Sequence, residues 1–179
     1  MQTKAPAIRI EPWSEDDFDL LRAANAPEMM GHLGGPESEE KLIDRHRRYV
    51  DLSADREGRG RMYRVVAVDT GEAVGNVGFW EQTWHEQEVY ETGWAILAHF
   101  QGRGFATAAT LAVADAARAE RRHRYLHAFP KVTNLASNGV CRKAGFELMG
   151  ECDLEYPIGN PIRANDWRLD LHAPAPTAA

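Results

Sequence analysis

Residues 7–13 alternate Ile8 and Ile10 with polar neighbours up to Pro12, which predicts a short strand. Ser14-Glu15-Asp16-Asp17 then forms a capping-box start ahead of Phe18, Leu20 and Leu21, predicting a helix that ends near Asn25-Ala26-Pro27. After Gly34-Gly35-Pro36, Leu42, Ile43, Tyr49 and Val50 recur on one face of a second helix whose other face is charged. A loop over 55–60 leads into three β-like runs. The first, 62–69, carries Val65, Val66 and Val68; Asp69-Thr70-Gly71-Glu72 reads as a hairpin turn, and 73–80 returns. A polar loop is expected over 81–88, before a third run at 89–97. From 105 to 120 the stripe Phe105, Ala109, Ala112, Val113 and Ala116 has helical period. A strand over 124–129, a helix over 134–144 ended by Gly145, and strands over 146–156 and 163–171 complete the pattern.

The order β-α-α-β-β-β-α-β-α-β-β, with no repeat or linker, implies one α/β (α+β) domain: a mixed, mostly antiparallel sheet flanked by helices. Its expected extent is 1–172, with 173–179 a disordered tail. At 179 residues, 44% hydrophobic and 27% charged, the chain has the composition of a globular protein. Its net charge of -6 argues against a nucleic-acid binder, which needs a basic face. Two cysteines suggest no disulfide framework, and the amino terminus has no apolar signal-like segment. No apolar run is long enough to span a bilayer, so a cytoplasmic protein without membrane partners is expected. The seven histidines show no paired ligand spacing, and no metal is expected.

The chemistry concentrates in two places. Gln101-Gly102-Arg103-Gly104-Phe105-Ala106-Thr107 places two glycines at the start of a helix, whose first N–H groups lack intrahelical partners and carry partial positive charge. Glycines let such a backbone close on a phosphate. The turn has neither the Gly-Lys-Ser/Thr of a P-loop nor a dinucleotide fingerprint, and a Gly-x-Gly turn alone is commonly structural. The second place is Asn134-Leu135-Ala136-Ser137-Asn138, which opens the helix that closes with Ala144-Gly145-Phe146.

Taken together, Gln-x-x-Gly-x-Ala, then Asn-x-x-Ser-Asn, then Ala-Gly-Phe resembles the GNAT superfamily of acetyl-CoA-dependent N-acetyltransferases, and within it the RimJ/RimL-like branch. The resemblance is carried by residues 76–150. It implies that the backbone of Gln101, Gly102, Arg103, Gly104, Phe105, Ala106 and Thr107 wraps the pyrophosphate of coenzyme A. It further implies that a splayed strand at Trp94-Ala95-Ile96 pairs with the pantetheine arm and aims one N–H at the thioester carbonyl, as an oxyanion donor. Asn134 would contact the pantetheine, although an asparagine there can equally cap its own helix.

Glu91 matches the strand glutamate that takes the proton of the acceptor amine; the plain alternative is a solvent-facing carboxylate. Many family members carry a tyrosine seven residues after this asparagine, where the chain has Cys141. Ser137 is then the implied proton donor to the thiolate, directly or through water, unless its hydroxyl only bonds to the backbone of its helix. Cys141 itself reads as packing, and Arg121-Arg122-His123-Arg124 as offsetting a helix dipole. Trp80, Trp84 and His85 are candidate acceptor contacts. The implied activity is acetyl transfer from acetyl-CoA to a primary amine, on a protein N-terminus or a small molecule. A silent acyl-CoA-binding module of the same fold is the alternative, and a homodimer is left open.

Overall fold

The computed structural model describes residues 5–174. Seven strands form one sheet in the order β1-β2-β3-β4-β5-β7-β6. They are β1 (Ile8–Pro12), β2 (Gly60–Ala67), β3 (Ala73–Trp84), β4 (Gln87–Ile96), β5 (Tyr125–Ala128), β6 (Glu147–Glu155) and β7 (Pro161–Asp170). Every neighbouring pair is antiparallel except β4 with β5, which run parallel. The helices are α1 (Phe18–Ala24), α2 (Glu39–Ala54), α3 (Phe105–Glu120) and α4 (Leu135–Lys143). The mixed, mostly antiparallel sheet with flanking helices is the expected class, in the expected order. Residues 175–179 of the expected tail lie outside the described residues.

The alternation of side chains sorts the sheet into two faces. One face carries Val65, Val77, Phe79, Tyr90, Leu126, Trp167 and Leu169 and packs against Phe105, Ala109, Val113 and Ala117 of α3 and Cys141 of α4. The opposite face carries Met62, with Trp80 partly buried beside it, under Leu21 of α1 and Leu42 of α2. Small residues dominate the buried stripe of α3, which lets that helix lie close to the sheet beneath β1, β3 and β4.

The expected polar loop over 81–88 is a hairpin instead. β3 and β4 stay in register from Gly75 with Ile96 to Trp84 with Gln87. The tight turn falls at His85 and Glu86, whose φ angles of 46° and 62° are those of a type I′ connection. Polar cross-strand pairs hold this extension: Thr83 Oγ1 donates to Glu88 Oε1 at 2.6 Å, and Gln82 Nε2 to Glu91 Oε2 at 3.1 Å. The stretch reads as a loop because its positions from Glu81 to Glu88 are exposed or half-buried and so mostly polar.

Two parts of the chain far apart in sequence meet over the Met62 face. Helix α2 packs on β2, yet its Arg45, paired with Glu37, donates to Tyr156 Oη at 3.3 Å from the β6–β7 connection. Since β3, β4 and β5 lie between β2 and β7, this contact bridges the middle of the sheet.

Candidate active site

The parallel pair β4–β5 keeps only two register partners, Tyr90 with Leu126 and Glu91 with His127. Beyond them, β4 continues through Thr92 to Ile96 without a registered neighbour on that side, among the described residues. The strands part there because β5 ends at Ala128, ahead of Pro130.

Backbone alternation decides which β4 groups face the parting. Leu97 donates its N–H to Val74 O at 2.9 Å, on the β3 side. The N–H groups of Ala95 and Gly93 then also face β3, while those of Ile96 and Trp94 face the gap. Ile96 fits this parity, since its carbonyl accepts from Gln101 Nε2 at 2.8 Å. Of the stretch 94–96, therefore, Trp94 and Ile96 offer main-chain donors to the gap, and Ala95 turns its backbone toward Asn76.

The glycine turn sits at the end of this strand. Gly102 and Gly104 have φ of 73° and 89°, in the left-handed region that glycine tolerates. Gly104 is the N-cap of α3 and provides no side-chain cap, so the N–H groups of Phe105, Ala106 and Thr107 lack intrahelical partners. By contrast, Ser38 caps α2 and Asn134 caps α4 with their side chains. The Arg103 guanidinium lies over the rings of Phe100 and Phe105, 5.6 and 5.2 Å from their centroids, which keeps a positive charge beside the uncapped amides. The Phe105 ring is core; only its main chain is available to a ligand. Gln101 acts through its side chain as a strut to Ile96, fixing the turn relative to β4.

Glu91 projects from β4 on the Met62 face, opposite Trp80 of β3, and accepts the Gln82 hydrogen bond. Burial raises its carboxyl pKa above the ordinary value, against the hydrogen bonds from Gln82 and Trp80 and the charge of His127. The Trp80 ring occupies the space a side chain at position 93 would need, since its Cη2 lies 3.0 Å from where a Cβ on Gly93 would stand. Trp80 therefore lies beside both Glu91 and the parting. Trp84 packs on Phe129, with 4.8 Å between ring centroids, and His85 caps the ribbon turn.

Ser137 lies in the first turn of α4, on the α3 side of the sheet, so the gap separates it from Glu91. Its N–H donates to Asn134 Oδ1 at 3.1 Å, and its hydroxyl has no hydrogen-bond partner among the described residues. Asn134 thus has the capping role. Cys141 is fully buried and its thiol is pushed up to about 12 by desolvation, as befits packing. The basic run after α3 is engaged locally: Arg122 pairs with Glu81 and Arg124 with Asp170, and His123 Nε2 lies 2.8 Å from Glu81 Oε1. Among the described residues no group of three or more His, Cys, Asp or Glu side chains could hold a metal, and no helix is long and apolar enough to cross a membrane.

Three residues, His127, Asp166 and Asn138, carry polar contacts that the sequence did not assign to them. His127 and Asp166 are buried, and His127 Nδ1 lies 2.6 Å from Asp166 Oδ1, while Trp84 Nε1 donates to Asp166 Oδ2 at 2.9 Å. Although burial works the other way, the hydrogen bonds from His127 and Trp84 hold Asp166 below the ordinary carboxylate value. Asn138 is buried under α4, donating to Lys131 O and Asn134 O and accepting from Asn165 Nδ2 and Trp167 Nε1. A polar residue amid an apolar alternation, as in Leu126-His127-Ala128, was the available signal for the first of them.

No curated protein matches the sequence. Solved structures share the fold at low identity. An acetyltransferase of the GNAT family from Bacillus anthracis is 18% identical, with a TM-score of 0.74 over 97% of this chain and 100% of its own. RimL, a ribosomal L7/L12 alpha-N-protein acetyltransferase, is 20% identical, with a TM-score of 0.74 over 94% of this chain and 92% of its own. Spermidine N-acetyltransferase from Vibrio cholerae, in complex with CoA and spermine, is 16% identical, with a TM-score of 0.72 over 92% of this chain and 95% of its own. The family model of the acetyltransferase (GNAT) domain matches residues 7–147, which span every element from β1 to α4. With the family matched over most of its length and the parted parallel strands ending at an uncapped glycine turn, the chain belongs to the GNAT acetyltransferase family.

Proposed function

We propose that this protein moves an acetyl group from acetyl-CoA to a primary amine by direct attack, with the diphosphate at the α3 amino terminus and the pantetheine along β4. The observation that carries the reading is the conjunction of two unsatisfied backbone sets. The amides of Phe105, Ala106 and Thr107 open to an anion at one end, and those of Trp94 and Ile96 open to a chain of amides at the other. The Bacillus anthracis and RimL structures support the fold, and the Vibrio cholerae structure, bound to CoA and spermine, illustrates the donor and a polyamine acceptor.

An amine arrives as an ammonium ion and must lose a proton before its nitrogen can attack. Glu91, its ionised form destabilised by burial, takes that proton. The nitrogen then bonds to the thioester carbonyl, whose oxygen takes up negative charge opposite the β4 amides. Collapse breaks the C–S bond, and the Ser137 hydroxyl, unpartnered in its own helix, supplies a proton to the thiolate, directly or through water. Holding amine and thioester on opposite sides of one narrow gap supplies much of the acceleration. Acceptor contacts fall to Trp80, Trp84 and His85. In branch, the chain reads as RimJ/RimL-like, and as a protein of the cytoplasm.

The test is release of free thiol from acetyl-CoA with a panel of a polyamine, an aminoglycoside and a peptide with a free N-terminus, run beside calorimetry with coenzyme A. Turnover of at least one amine is expected. Binding without thiol release for any amine would leave a ligand-binding module and overturn the reading.

A further inference from the structure

His127 is 4% exposed and Asp166 7%, yet neither takes part in the transfer steps proposed above. A carboxylate can only accept, so the short contact to Asp166 requires the proton on His127 Nδ1. Asp166 is itself held by the Trp84 indole, which fixes the ring from behind, and the Phe129 ring stacks on His127 with an interplanar angle of 16°. That tautomer leaves Nε2 with a lone pair and no protein partner. Since no buried polar side-chain atom among the described residues lacks a partner, Nε2 is reached by solvent. Glu91 is its register partner on the neighbouring strand and shares its face. Neighbouring strands lie roughly 4.8 Å apart, which brings the two side chains side by side.

Acetylation of an ammonium removes two protons from one nitrogen: one before attack and one from the tetrahedral intermediate. Glu91 holds only one at a time, and the leaving thiolate consumes only one. The other must leave the site. We propose that His127, oriented by Asp166, is the exit for that proton, receiving it at Nε2 from Glu91 directly or through one water. This rests on the reading of Glu91 as base. In this step the O–H bond on Glu91 breaks and an N–H bond forms on Nε2. Glu91 returns to its carboxylate form, ready for the second proton, and the imidazolium stands between two carboxylates until solvent takes its proton. The groups facing His127 are Glu91 from β4, Arg168 (its register partner) and Asp166 from β7, Tyr125 on its own strand and, near Asp166, His85 from the ribbon turn and Cys152 from β6. Glu91 and Asp166 are the carboxylates among them, and Arg168 brings a positive charge to the same face. His127 is thus a positioning and relay residue, since it acts through Glu91.

The experiment compares thiol release by wild type, His127→Gln and Asp166→Asn over pH and buffer concentration, on an amine the wild type turns over. Glutamine keeps a hydrogen bond to Asp166 but carries no proton. The expected result is a kcat reduced about tenfold or more in both variants, with KM for acetyl-CoA unchanged. Turnover of the variants should rise with buffer base, because small buffer molecules replace the exit; a packing role would not produce that dependence. A His127→Gln kcat within twofold of wild type and indifferent to buffer overturns the inference. Nitrogen-15 NMR of the wild-type ring provides a readout free of folding defects: Nδ1–H with bare Nε2 is expected, and the opposite tautomer overturns the inference. Should Glu91→Gln retain full turnover, or the wild type acetylate no amine, the underlying reading fails as well. Collapse of Glu91→Gln beside an unaffected His127→Gln sinks the relay alone.

Discussion

Glu91 and His127 face each other across β4 and β5 as the last register partners before the strands separate. One backbone feature thereby does two things. The end of pairing frees the Trp94 and Ile96 amides, and it brings a partly buried carboxylate to the edge of the opening those amides line. Desolvation and main-chain donors in one place are what attack on a thioester by an amine requires.

Glu91→Gln should lower turnover by about 10²–10⁴-fold at neutral pH while leaving coenzyme A affinity within error, measured by thiol release and calorimetry. Because burial raises the Glu91 pKa, its carboxylate is disfavoured in the folded state above that pKa. The substitution should therefore leave the melting temperature unchanged or raise it, whereas a purely structural carboxylate would lower it. In the wild type, kcat/KM should rise with pH through a midpoint above the 4.5 of an ordinary glutamate.

Gly104→Val should weaken coenzyme A binding at least tenfold. A branched side chain at φ 89° is strained, and its Cβ would stand 3.1 Å from Pro6 Cδ, so the turn must move. The backbone cost is of order 1–3 kcal/mol. Gly71→Ala is the control: its φ is 73° with nothing within 4 Å of the added Cβ, so it should cost some stability and no coenzyme A affinity. Calorimetric titration of both variants reads the difference.

Asn138→Leu should destabilise the fold by about 2–4 kcal/mol, because it strands the Trp167 indole N–H and removes both donors to the 131 and 134 carbonyls. For a chain of this size that is a fall of roughly 5–15 °C in melting temperature, read by calorimetry.

The Arg124 side chain and the His172 main-chain N–H hold the Asp170 pKa at about 2, below its ordinary 3.8. A lowered acid pKa contributes stability that is complete above the unfolded value and is lost as pH falls through the folded one. The urea midpoint should consequently decline between pH 4 and pH 2. Arg124→Ala should flatten that decline, which paired urea titrations at the two pH values would detect.

Much of this was legible in the sequence because its signals are local. The Phe105 stripe and its glycine start fixed α3 to the residue, since period and cap agree there. The 81–88 ribbon was not legible, because its register is held by polar pairs such as Gln82–Glu91 rather than by a hydrophobic alternation. The glycine turn and Glu91 could be singled out as residue types at motif spacing. The His127–Asp166 pair could not, as its members lie on β5 and β7 and meet only through sheet pairing. The bridge from Arg45 to Tyr156 is likewise a product of topology, joining positions that no periodicity relates.

A crystal structure with acetyl-CoA bound tests the central claim most directly. The account predicts the diphosphate within hydrogen-bonding distance of the amides from Gly102 to Thr107, the pantetheine paired with Trp94 and Ile96, and the acetyl carbonyl at the gap beside Glu91. A ligand seated elsewhere on the fold, with the glycine turn empty and the β4–β5 parting closed by side chains, would contradict it.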